Sequence, residues 1–203
     1  LGCPAAENLV RAGIGTIGLI DNDIVNLSNI HRQSLFNSND IKKSKVKVAA
    51  RKLKEINPLT KVKTYKSRLN KKNIENIIKN YELIIDGSDN FKTKFLVNDY
   101  CKKLRKKLVT GAISKFDGHI FTFDFNDKKT ASLKSFYQEE EISDNNLNCE
   151  YEGVIGTTAS IVGTTQANEA LKMIMEIGKN LKNQILILDL LNLNFRKVKF
   201  KKE

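Results

Sequence analysis

Gly15-Thr16-Ile17-Gly18-Leu19-Ile20-Asp21 and Tyr81-Glu82-Leu83-Ile84-Ile85-Asp86 are the two stretches whose reading decides the fold. Each is a short apolar run without polar alternation that ends in a carboxylate. Such runs read as strands buried on both faces, the pattern of parallel sheets covered by helices. Around them, Ala5 to Ala12 reads as a helix with Pro4 in its first turn and Gly13 as its stop. Ser44 to Ile56 carries Val46, Ala49, Ala50 and Leu53 at helical spacing and closes at Asn57-Pro58. Val62 to Tyr65 reads as a strand and Lys72 to Lys79 as a surface helix. A helix from Phe91 to Leu104 leads to a strand from Lys107 to Thr110, closed by Gly111. His119 to Phe125 alternates with period two, as an antiparallel strand does. Residues 126 to 150 read as a charged, irregular crossover, followed by a long helix from about Thr157 to Ile177 and strands at Gln184 to Leu188 and Leu193 to Phe200. The expected class is α/β, Rossmann-like and doubly wound, with a mostly parallel sheet and an antiparallel C-terminal extension.

The 203 residues fit one domain with attachments, and 40% hydrophobic with 29% charged residues is the composition of a globular chain. The longest uncharged stretch, Gly153 to Asn168, is 16 residues and rich in Gly, Thr and Ser, too short for a membrane span. Leu1-Gly2-Cys3-Pro4 carries no basic segment before a cleavage site, so no export signal is read. Three widely spaced cysteines match neither a disulfide framework nor paired zinc ligands, and the expected setting is a reducing cytoplasm. A net charge of +12 invites a nucleic-acid reading, yet 29 of the 35 basic residues are lysines spread along the chain rather than gathered with aromatic side chains. Composition therefore argues against a nucleic-acid partner and favours an acidic protein one.

In sheets of this class ligands bind beyond the carboxyl ends of the strands. Asp21, Asp86 with Asp89, and Gly111 occupy three such ends. Asp21 lies 19 residues after Gly2, which opens a helix, and a carboxylate about 20 residues past phosphate-binding glycines is where a ribose hydroxyl is held. Only one glycine of such a loop is present, so spacing alone leaves open an aspartate that simply ends a strand.

The run Asp21-Asn22-Asp23-Ile24-Val25-Asn26-Leu27-Ser28-Asn29-Ile30-His31-Arg32-Gln33, followed by Ser44-Lys45-Val46 and Ser88-Asp89-Asn90, resembles the superfamily of ubiquitin-activating enzymes, most closely its MoeB/ThiF branch. The resemblance extends from Leu1-Gly2-Cys3-Pro4-Ala5-Ala6 to Leu191-Asn192-Leu193-Asn194-Phe195-Arg196. It implies an ATP- and Mg2+-dependent adenylyltransferase that activates the C-terminal glycine of a ubiquitin-like sulfur-carrier protein ending in Gly-Gly, for molybdopterin or thiamine synthesis, as a cytoplasmic homodimer. By the same resemblance Asp21 holds the ribose, and Asp23 lies nearer the phosphates. Gly2, Ser28, Asn29, Ile30, His31, Arg32 and Gln33 line the nucleotide, and Lys45 reaches the phosphates. Asp89 holds magnesium, and Asn90 supports the adenosine phosphate site. A nucleophilic carboxylate meeting a triphosphate concentrates negative charge, which is why positioned cations and a metal carboxylate are needed. Two other functions fit parts of the pattern: a tRNA-modifying dehydratase of the same superfamily, and a non-catalytic carrier-binding protein. Arg32, Lys45 and Asp89 together speak against the second, since a binding module needs no phosphate clamp.

Some positions depart from the family. Leu1-Gly2 match the end of its Gly-x-Gly-Gly-Leu-Gly loop, which implies that the first strand and most of the loop of a single ThiF-type domain, here 1–203, are missing. Lys94 stands where the family has arginine. The family's two Cys-x-x-Cys pairs have no counterpart here, so no zinc is expected. Cys3 and Cys101 read as packing residues and His119 as a sheet-surface residue. Cys149, in Cys149-Glu150-Tyr151-Glu152-Gly153, is similar in place to a cysteine that some members link covalently to the carrier. Its flanking glutamates disfavour the thiolate.

Overall fold

Helix α1 (Gly2–Arg11) opens the computed structural model, which describes residues 1–137 and 153–200. Pro4, Ala5, Ala6, Leu9 and Val10 are buried along one side of α1. The helix ends where Gly13 adopts φ +88° and the Ile14 amide donates back to the Leu9 carbonyl at 3.2 Å, an end that glycine makes without strain. Strand β1 (Thr16–Ile20), α2 (Leu27–Ile30), α3 (Lys45–Ile56) and β2 (Lys61–Tyr65) follow. β1 and β2 pair in parallel, from Thr16 opposite Lys61 to Ile20 opposite Tyr65. Asn57 donates to the Val10 carbonyl at 3.2 Å and Thr60 to the Ile14 carbonyl at 2.8 Å, tying the end of α3 to the end of α1.

The second half repeats the theme and then turns antiparallel. After α4 (Ile74–Ile78), β3 (Leu83–Asp86) pairs in parallel with β4 (Lys107–Ser114), and α5 (Phe91–Lys103) connects them. Strands β5 (Asp117–Asp124), β6 (Gln184–Asp189) and β7 (Asn194–Lys199) extend this sheet by antiparallel pairing in the order β3-β4-β5-β6-β7. Long helix α6 (Gly156–Met175) lies across it. Neighbouring strand residues alternate between two cores. Leu108, Phe121, Phe123 and Ile185 pack with α4 and α5, whereas Val109, Ile120 and Leu188 pack with α6 and Leu9 of α1. A third core joins α1, α3 and β1 through Val10, Val48 and Leu53. Each fully buried aliphatic side chain of this kind contributes roughly 1.5–3 kcal/mol.

β1 differs from its expected burial on both faces: none of its residues is fully buried. Among the described residues β1 and β3 each pair on one side only, in separate sheets. The Tyr81 ring covers Gly18 in place of a strand, and a Cβ at Gly18 would meet its hydroxyl at 2.2 Å.

Helices α1 and α6 meet closely at Gly163 of α6, where a Cβ would lie 2.5 Å from the Leu1 carbonyl oxygen and 2.6 Å from Pro4 Cγ. Gly163→Val is expected to destabilise the chain by about 2 kcal/mol, because overpacking must push α1 off α6. Urea denaturation checks it, as a lower midpoint at unchanged slope.

Candidate active site

The carboxyl ends of β1 and β3, the start of α3 and the turn after α2 converge near the start of α1. Lys45 is the first residue of α3, with Ser44 extended before it as the cap. The amide of Lys45 donates to the Asp23 carbonyl at 3.0 Å, and Val25 and Lys42–Lys43 exchange backbone bonds of 2.8 and 2.9 Å. This clasp folds the loop after β1 against the start of α3. As a result Lys45 is buried while its ammonium reaches Asp23 Oδ2 at 3.0 Å. Asp21 ends the strand and accepts from the Asp23 amide at 2.8 Å. Burial raises the Asp21 carboxyl above its ordinary 3.8, partly opposed by that amide and the Lys45 charge. Asp23 and Asp89 also raise it, so Asp23, Lys45 and Asp89 each lie within electrostatic reach of Asp21. Arg32, Asp89 and Lys94 are likewise within reach of Leu1, at the start of α1.

Arg32 sits on a tight turn after α2. The amides of Arg32 and Gln33 both donate to the Asn29 carbonyl, at 3.1 and 3.0 Å, and the Asn29 side chain accepts from the Asn26 amide at 3.3 Å. Buried Asn29 therefore builds the turn. The guanidinium Nη1 donates to the Ser28 carbonyl at 2.8 Å and lies 2.8 Å from His31 Nε2. Ile30 packs partly into the α1–α3 core, and Gln33 Oε1 is buried without a partner. On the far side, a Cβ at Gly156 would come within 2.3 Å of the His31 carbonyl oxygen, so glycine is what lets α6 begin against this turn.

Asp89 projects from a four-residue span with two fixed ends. At one end Asp86 Oδ2 accepts from Lys94 Nζ at 3.1 Å and from Thr110 Oγ1 at 2.7 Å, while Oδ1 accepts from the Ser88 amide at 2.9 Å. Gln166 of α6 donates to the Asp86 carbonyl at 2.9 Å, and Lys94 also donates to the Gly111 carbonyl at 2.6 Å. At the other end Asn90 caps α5 by accepting from the Thr93 amide at 2.9 Å, and its amide donates to Asp89 Oδ1 at 3.1 Å. Burial on its own would raise the Asp86 carboxyl, but the Lys94 charge and the bonds from Ser88 and Thr110 outweigh it and hold it below the ordinary 3.8.

The residues expected at the site thus fall into two groups. Asp21, Asp23, Lys45, Arg32 and Asp89 offer charged groups, and Gly2 opens α1 beside them without crowding. Ser28, through its carbonyl, Asn29, Ile30 and Asn90 shape the turns that carry them. Lys94 turns inward as a buried partner of Asp86. Gln166 was not expected; its only sequence signal is an amide on the small and apolar stripe of Val162, Gly163, Ala167 and Ala170. Cys101 is fully buried and burial pushes its thiol up, whereas Cys3 is half-buried. Cys149 lies outside the described residues. His119 is partly buried on β5 and bonds Tyr137 through Nδ1 at 2.8 Å. A groove of about 490 Å³ runs between the Arg32 turn and the start of α6. The larger concavity, about 610 Å³, lies at the other end of the sheet, beside Lys107, Lys172 and Lys182. Those ammonium groups are bound to the Met173 carbonyl, the Lys179 carbonyl and Asp127. Lys107 and Lys172 thereby brace the end of α6, and Lys182 is tied to the loop at Asp127. No helix among the described residues is long and apolar enough to cross a membrane.

Comparison with known proteins gives a consistent result. The model described as "ThiF family" matches residues 1–203. The chain is 38% identical over 200 residues to a probable molybdopterin-synthase adenylyltransferase of Porphyra purpurea, covering 98% of this chain and 52% of that protein. It is 37% identical over 201 residues to the sulfur carrier protein adenylyltransferase of Thermus thermophilus, covering 98% and 74%. The chain thus spans about half the length of the first of these relatives. Among solved structures, E. coli MccB with ATP superposes with a TM-score of 0.85 at 19% identity, covering 100% of this chain and 62% of that one, which shows a shared fold.

Lys94→Met is expected to cost about 3–5 kcal/mol, since it leaves Asp86 charged, buried and unpaired. Lys94→Arg should retain most of the stability, and Lys94→Met combined with Asp86→Leu should recover much of the loss. A depressed carboxyl stabilises the fold above the ordinary aspartate range, and that contribution is lost as pH falls through the folded value. Chemical denaturation from neutral to acid pH should show a shallower acid loss in the double variant than in the wild type.

Proposed function

We propose, for a chain that belongs to the ThiF family, that this site adenylates the C-terminal carboxylate of a small ubiquitin-like sulfur carrier ending in Gly-Gly. A carboxylate oxygen of the carrier bonds to the α-phosphorus of ATP, the bond from that phosphorus to the bridging oxygen breaks, and pyrophosphate leaves with the electron pair. The supporting observation is that Asp23, Lys45 and Asp89 lie within electrostatic reach of Asp21 at the end of β1, while Arg32 and Asp89 are both in reach of the start of α1.

Each side chain then has a task its surroundings suit. Asp21 accepts from a ribose hydroxyl. Arg32 and Lys45 hold phosphate oxygens, Arg32 through a planar fork and Lys45 as a point charge oriented by Asp23. The free amides at the start of α1, where Gly2 lets a ligand come close, add partial positive charge. Ser28, Asn29, Ile30 and Gln33 line the same pocket, and Asn90 steadies Asp89. Asp89 is exposed, with one oxygen held by Asn90. Its other carboxylate oxygen is the kind of donor a hard cation takes, with phosphate oxygens completing the shell. Magnesium, when bound, neutralises charge developing on the phosphates. Zinc has no place in this reading. A homodimer and a cytoplasmic setting belong to it; at Cys149 the reading admits either a covalent link to the activated carrier or transfer by a separate sulfurtransferase, and the flanking Glu150 and Glu152, which disfavour the thiolate, favour the second.

Asp89→Ala is expected to slow carrier-dependent exchange between ATP and pyrophosphate by at least about a hundredfold, or about 2.7 kcal/mol of transition-state stabilisation. Exchange within a few-fold of wild type would sink the metal role. Cys149→Ser should leave adenylate formation intact, read by mass spectrometry of the carrier. Loss of the adenylate would instead put the residue in the nucleotide site.

A further inference from the structure

Arginine carries five N–H donors and accepts nothing. At Arg32 both hydrogens of Nη1 are committed within the protein, one to the Ser28 carbonyl and one to His31 Nε2, each at 2.8 Å. Because the guanidinium can only donate, Nε2 must present its lone pair, and the ring proton of neutral His31 sits on Nδ1. Nε–H and the two Nη2 hydrogens remain. Nε–H and one of the Nη2 hydrogens form the side-on edge whose parallel N–H groups match two oxygens of a phosphate.

We propose that His31 is a positioning residue for Arg32: as its Nδ1–H tautomer it holds Nη1 and so turns the Nε/Nη2 edge toward a phosphate oxyanion. The phosphate half rests on the adenylation reading above, while the ring contact stands apart from it. The backbone makes the contact a clamp. The amides of Arg32 and Gln33 are fixed on the Asn29 carbonyl, and Gly156 packs against the His31 carbonyl oxygen. With the main chain held on two sides and Nη1 on two acceptors, little guanidinium freedom remains to be lost on binding. A protonated ring would have no lone pair to offer and would set two cations side by side.

The chain has two histidines, which makes the test direct. In 15N-labelled protein at about pH 8, two-bond nitrogen–proton correlations report the tautomer of each ring, and His31→Gln assigns the signals by their loss. His31 is expected as the Nδ1–H form in the wild type and should relax toward the Nε2–H form that free imidazole prefers in Arg32→Met. An Nε2–H ring in the wild type, or a tautomer that Arg32→Met does not move, overturns the assignment. Calorimetric ATP titration supplies the second arm. His31→Ala should weaken binding about fivefold, equivalent to about 1 kcal/mol. His31→Gln, whose amide oxygen can accept from Nη1, should stay within about twofold of wild type. Wild-type affinity in His31→Ala overturns the phosphate-presenting half. A wild type with the expected tautomer that binds no ATP overturns the adenylation reading instead, and the spectra still decide the His31–Arg32 contact.

Discussion

The buried pair of Lys94 and Asp86 is the interaction on which the rest of the site depends. Two charges withdrawn from water cost several kcal/mol each unless every remaining donor and acceptor is met. Here nearly all are. Asp86 receives Lys94, Thr110 and the Ser88 amide on its carboxylate, and Gln166 on its carbonyl. Those partners come from α5, β4, the loop itself and α6, so one residue, through its carboxylate and its carbonyl, ties three elements and a loop together at the carboxyl end of the sheet. Lys94 adds the Gly111 carbonyl. The span from Gly87 to Asn90 starts from this anchor and ends in the cap of α5, which leaves Asp89 as the exposed member of a short loop with both ends fixed.

The other half of the site is organised by backbone rather than by a buried charge. The Val25 clasp holds the loop after β1 against the start of α3, and burial then separates Lys45 from its neighbours. Lys42, Lys43 and Lys47 are exposed, whereas Lys45 is buried and aimed at Asp23. An ammonium restrained in this way meets an anion with less reorganisation than a free surface lysine does. Arg32 is held more firmly still, by a carbonyl and an imidazole on the same nitrogen.

Large parts of this arrangement were legible from residue order alone. Unalternated apolar runs at 15–20 and 81–85, each ending in aspartate, placed two carboxylates beyond strand ends, because a strand covered on both faces has polar residues only where it leaves the sheet. The spacing of Val46, Ala49 and Leu53 marked α3 and put Lys45 at its start. What residue order does not carry is which polar groups meet. Asp86 and Gln166 are 80 residues apart, and their contact exists because α6 crosses β3 and β4. Asn90 reads equally well as ligand or cap.

The sequence by itself therefore determined the α/β class, the order of the strands and of the helices other than the short α2, and the candidate residues at strand ends, since all of these follow from local periodicity and the chemistry of single side chains. Only the tertiary structure decided that Lys94 faces inward and that His31 faces Arg32. It alone decided that β1 lies half-covered, paired on one side among the described residues. Those outcomes depend on burial and on the distance between atoms far apart in the chain or on opposite sides of a turn, and periodicity contains neither.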